Sequence, residues 1–179
     1  MMGTEPRLAV LLVLVVLAGC DSGPATAAPP SSVGAPPGPP AFASSGAGYH
    51  DPRSPVPQLV EREGVLSWKL LSKVEPKIEK NRVVPQYPPA VAALNGQRVK
   101  VQGFMMPLDP GATQKHFLLS AVPTTCAFCV PAGPEGLIEV RSTTAVKVAI
   151  EAVLLEGKLE ILKQDPTGLY YRLTEAVPR

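Results

Sequence analysis

Histidine, cysteine and aromatic residues are scarce in this chain. Of 179 residues, two are His, three are Cys and one is Trp, and Tyr and Phe number four each. So few aromatics make no stacking platform for single-stranded nucleic acid, and a formal net charge of +2 makes no basic groove for a phosphate backbone. Nucleic acid is therefore set aside as a partner, and a pI near 8.5 is too mild to mark the chain as polybasic. Long apolar runs are also missing, since beyond the N-terminal stretch no window reaches the length of a membrane-spanning helix. From Ser22 to Tyr49 charge itself is absent.

What is present begins with an export signal over residues 1–19. Arg7 supplies the charged start, Leu8 to Leu17 a short apolar core, and Ala18-Gly19 small residues before Cys20. Leu17-Ala18-Gly19-Cys20 resembles the lipobox of bacterial lipoproteins, and the resemblance implies that Cys20 is acylated and becomes the first residue of the mature chain. The competing reading is an ordinary signal peptide with a free thiol. Each buried acyl methylene contributes about 0.8 kcal/mol, so more than one chain holds a protein stably to a membrane. The expected location is extracytoplasmic, lipid-anchored to a membrane. Asp21 resembles the retention signal of Gram-negative lipoproteins, which implies the periplasmic side of the inner membrane.

Residues 20–58 follow as a linker rich in Pro, Gly, Ala and Ser, with Pro36-Pro37-Gly38-Pro39-Pro40 at its centre. Such a composition buries too little apolar surface to offset the entropy of ordering, so a disordered spacer is expected, with His50 solvated inside it. Residues 59–179 are one domain of ordinary size.

Within the domain, Gly64 to Val74 has apolar residues at helical spacing, with Ser67 as cap and Glu75-Pro76 as stop. Val83 to Pro89 is extended by its prolines, and Ala90 to Leu94 makes one helical turn before Asn95-Gly96. The period then changes to two. Strands are expected over Val99–Leu108, His116–Val122, Leu137–Arg141, Val146–Leu155, Lys158–Lys163 and Leu169–Leu173, with Gly157 read as a turn and Gly103 as a bulge or close approach. The fold class is mostly β: a small OB-like barrel with a short N-terminal helix, preceded by the disordered lipoprotein tether.

Gly103-Phe104-Met105-Met106-Pro107-Leu108, Phe117-Leu118-Leu119, Cys126 to Pro134 and Ile138-Glu139-Val140 resemble, in that order, the exported bacterial domain of unknown function 3299. The likeness runs from about Leu66 to Val177 and implies no reaction and no catalytic residue. Many members carry Cys-x-His-Val-Pro in the central loop. Aligning Val130-Pro131 with that Val-Pro sets Cys129 at the family's histidine and Ala127 at its cysteine, so Cys126 is shifted by one residue.

Cys126 and Cys129 have the Cys-x-x-Cys spacing shared by zinc half-sites and dithiol enzymes. For metal, His116 is the third candidate ligand and zinc the ion such a set would take, with Glu135, water or a partner's residue as a fourth. For redox work the first thiol needs a depressed pKa from a following helix, and Val130-Pro131-Ala132-Gly133-Pro134 is hostile to one. A structural disulfide, or a packed reduced pair, is the third account. Met105-Met106 alternate across a strand, which makes one of them core rather than a copper ligand. The functional expectation is a non-enzymatic accessory binding domain of an envelope transport or assembly system, attached to the membrane by its lipid and able to take zinc. The alternative is a thiol-disulfide oxidoreductase with Cys126 as nucleophile and Cys129 as resolving thiol.

Overall fold

The computed structural model describes residues 46–179; the signal segment, Cys20 and the linker as far as residue 45 lie outside the described residues. Ser67 opens helix α1 (Trp68–Leu71), its hydroxyl accepting the Lys69 amide at 3.2 Å. Trp68 and Leu71 are the buried residues of this short helix. A hairpin follows, β1 (Glu75–Glu79) and β2 (Arg82–Gln86), joined by Lys80 and Asn81 at φ 48° and 62°. Two consecutive left-handed residues make the tight turn whose twist matches that of its strands. Helix α2 (Pro89–Ala92) starts on a proline and buries Val91.

The barrel is built from β3 (Arg98–Pro107), β4 (Thr113–Ser120), β5 (Leu137–Lys147), β6 (Val153–Ile161) and β7 (Tyr171–Pro178). It closes in the order β3-β4-β5-β7-β6, with β5 and β7 parallel and every other neighbouring pair antiparallel. Counting barrel strands by themselves, the order is 1-2-3-5-4, the OB-like arrangement expected. Alternate residues point inward: Val101 and Met105, Phe117 and Leu119, Ile138 and Val140, Leu155 and Leu159, Tyr171 and Leu173 are all buried. Burying each large side chain contributes about 1.5–3 kcal/mol. Trp68, Leu71 and Val91 join the same cluster, so α1 and α2 complete the core that the strands begin. The Trp68 indole donates to the Gln102 carbonyl at 2.8 Å, which ties α1 to β3.

Two expected strands are redrawn. Val146 belongs to β5, and Val153 to Ile161 is one strand that runs through Gly157. Gly157 is not a turn. A Cβ there would lie 2.8 Å from the Thr174 carbonyl and 2.9 Å from Leu173 Cγ, so the glycine lets β7 cross closely. Gly103 meets the same demand against Leu119 and the Ser120 carbonyl. Met105 is core and Met106 half-buried, as alternation requires.

Candidate functional site

The loop from Ala121 to Gly136 joins β4 to β5 and carries the cysteine pair. Cys126 and Cys129 are joined as a disulfide with Cα atoms 5.4 Å apart, and the Cys129 amide donates to the Cys126 carbonyl at 3.3 Å. Cys126 is buried and Cys129 half-buried. The loop's one helical turn, a 3-10 turn at Pro134–Gly136, comes too late to place a helix terminus at either sulfur.

A strap made of residues 46–56 crosses this loop. Tyr49 pairs with Val130 through two backbone bonds of 3.1 and 2.9 Å, and the Gly133 amide donates to the Gly46 carbonyl at 3.3 Å. The Gly46 amide in turn donates to the buried carboxylate of Glu135. Gly48, at φ 80°, lies so close that a Cβ would sit 2.7 Å from the Val130 carbonyl. Beyond it, Asp51 accepts from the Arg53 guanidinium at 2.9 Å, and this side-chain bond, with the Arg53 amide bond, lowers the carboxyl pKa to about 2. Arg53 then stacks over the exposed Phe128 ring, 4.3 Å from its centroid. His50 is half-buried: Nε2 lies 2.9 Å from the Val56 carbonyl, and the ring centroid is 6.1 Å from that of Phe104. Composition places residues 46–58 in the linker and His50 in solvent. Backbone pairing and close glycine contacts, which composition does not encode, hold the strap on the loop instead.

His116 does not join the cysteines. It sits on β4 opposite Arg141, with Nε2 2.9 Å from the Glu139 carboxylate. Among the described residues no group of three or more His, Cys, Asp or Glu could hold a metal ion, so the ligand set Cys126, Cys129 and His116 does not converge. The strand geometry explains this, because His116 lies midway along β4, with its side chain on the outer face beside Glu139, and the strand continues to Ser120 before the loop that leads to Cys126 begins.

Glu139 is instead the centre of a cross-strand stripe on the outer face. Its carboxylate meets Arg172 at 2.6 Å, Arg141 at 3.0 Å and His116 at 2.9 Å, and Arg172 continues to Asp165 at 3.3 Å. Burial raises the Glu139 pKa, but the hydrogen bonds from Arg172, His116 and Arg141 outweigh it and hold the carboxyl below its ordinary range. The sequence signal for this stripe is in β5, where Glu139 and Arg141 alternate with the buried Ile138 and Val140.

Asp165 also borders a cleft of about 760 Å³ between β2 and the β6–β7 loop, lined by Val83, Pro85, Pro134, Leu169 and Tyr170, with Arg82 and Lys163 at its basic rim. Two of its lining residues are tied to Tyr87, whose hydroxyl donates to the carbonyl of Leu162 at 2.6 Å and lies 3.1 Å from that of Tyr170.

The family model described as a protein of unknown function, DUF3299, matches residues 60–173. A crystal structure of a DUF3299 family protein from Pseudomonas aeruginosa PAO1 is similar at 16% identity, covering 73% of this chain and 91% of that one, with a TM-score of 0.39. No curated protein matches the chain.

Proposed function

The chain belongs to the DUF3299 family, and from there we propose that it is a lipid-anchored, extracytoplasmic accessory binding domain, not an enzyme, that meets an envelope partner through its strapped cysteine loop. The observation that carries this reading is the pairing of Arg53 with Phe128. An exposed aromatic is held under a guanidinium at the tip of a loop that a disulfide closes and a strap fixes. Preorganised aromatic and arginine side chains of this kind dominate binding energy at protein interfaces, because little entropy remains to be lost. Tyr49, exposed beside Val130, extends the same surface. The oxidoreductase alternative fits less well, since it needs an accessible nucleophile and Cys126 is the more buried residue of the pair. A zinc site would need donors beyond two sulfurs engaged with each other.

The test is site-specific photo-crosslinking in cells, with the photoreactive residue at Phe128 and, as a control, at Glu151. A discrete envelope-protein adduct at Phe128 that weakens in Arg53→Ala supports the reading. Disulfide reductase activity lost in Cys126→Ser, with no adduct at Phe128, would replace it with the alternative.

A further inference from the structure

The β1–β2 hairpin is not used by that reading, and it has the character of a contact surface. Every residue from Glu75 to Val83 is exposed. Pro76 pairs with Pro85 and Ile78 with Val83, so these four share one face of the ribbon. Pro85 is buried at the base, whereas Ile78 and Val83 at the tip are 76% and 60% exposed. The tip of the ribbon therefore presents an apolar cross-strand pair to its surroundings.

The charges on the ribbon are mixed, with Glu75 and Glu79 beside Lys77, Lys80 and Arg82, but the tip is basic. Lys77 is engaged by Glu79 at 3.5 Å, but Lys80, Arg82 and, across the cleft, Lys163 form no ion pair among the described residues. Two side chains are too small a patch for a protein interface, which needs roughly 800 Å² from each partner. They suit a peripheral membrane contact, in which a modest apolar insertion acts together with cations and a second anchor.

We propose that this hairpin is a membrane-docking finger: Ile78 and Val83 enter the headgroup–acyl boundary of an anionic leaflet, and Lys80, Arg82 and Lys163 meet lipid phosphates. The proposed lipid anchor brings the finger near a bilayer, and its chemistry stands apart from acylation. The tight turn at Lys80-Asn81 keeps the inserting tip narrow.

The test uses the unacylated mature chain, Cys20→Ser without residues 1–19, sedimented with phosphatidylcholine vesicles with and without phosphatidylglycerol. Binding is expected to the anionic vesicles and not to phosphatidylcholine, and to weaken as salt rises. The double change Ile78→Ser with Val83→Ser should abolish it, and Lys80→Glu or Arg82→Glu should each weaken it about fivefold or more. These positions are exposed, so an unchanged melting temperature certifies that the variants fold. Absence of binding to anionic vesicles, or equal binding by the double variant, overturns the proposal. A concentration-dependent dimer broken by Val83→Ser would assign the ribbon to a second copy of this chain. Failure of the lipid anchor is read separately, from the mass of the native chain, and leaves this experiment intact.

Discussion

Tyr171 donates its phenolic hydrogen bond to the Leu71 carbonyl at 2.7 Å, joining the last barrel strand to the end of α1 across 100 residues of chain. Both side chains are fully buried. The carbonyls at a helix end have no partner within the helix, so this bond satisfies a group that would otherwise be buried unpaired. Tyr171→Phe keeps the ring and removes the donor, and is expected to cost about 1–3 kcal/mol in urea unfolding. A variant as stable as the parent would show that water can replace the hydroxyl.

A second consequence of the same cluster appears at high pH. Burial raises the phenol pKa of Tyr87 and of Tyr171 well above the ordinary value near 10. The folded protein therefore retains protons that the unfolded chain would release. The stability this supplies is complete below about pH 10 and is lost as pH rises through the folded values. In a spectrophotometric titration Tyr87 and Tyr171 should ionise only with unfolding, and reversible ionisation of all four tyrosines in a folded protein would contradict the packing.

Glu139 produces the opposite limb. Its carboxyl pKa is lowered in the folded protein, so its contribution is present above the ordinary value near 4.5 and fades as pH falls through the folded value. Glu139→Gln should cost about 2 kcal/mol near neutral pH and leave a shallower acid limb in a plot of unfolding free energy against pH. If the variant's curve parallels the parent's, the stripe through Arg172 does not govern acid sensitivity.

How far these features could be read beforehand depends on which force makes them. The strict alternation from Val99 and the cap at Ser67 are local signals, and β3 and α1 appear where they predict. Gly157 has the residue type of a turn but the role of a close crossing, a distinction set by β7 some seventeen residues later. The true turn between β5 and β6 lies at Val148 to Ala152, which contains neither Gly nor Pro to announce it. The hairpin at Lys80-Asn81 was hidden because its strands are exposed on both faces near the tip and show no buried period. In the site, the spacing of Cys126 and Cys129 was legible, but the Tyr49–Val130 pairing joins segments 81 residues apart and leaves no trace in either.

That pairing makes the last prediction, which concerns what the disulfide does. The ring closed by Cys126 and Cys129 is small, so chain-entropy reasoning gives the bond at most about 2 kcal/mol of global stability. The loop around it is held by the strap at Val130, Gly133 and Glu135, all on the C-terminal side of the disulfide. Replacing both cysteines by serine should therefore act locally. Amide exchange at Tyr49 and Val130 should accelerate at least tenfold, while amides of β3 to β7 keep their protection, because a region with its own few contacts opens below the global free energy. Glu135→Ala, which removes the acceptor of the Gly46 amide and leaves the disulfide intact, should speed exchange at Gly46 and Gly133 by a similar factor. Equal acceleration across the whole barrel would make the disulfide part of the core's cooperative unit. Unchanged exchange at Tyr49 would mean that the strap holds without it, and the Arg53–Phe128 surface would then be preorganised by the strap and not by the covalent bond.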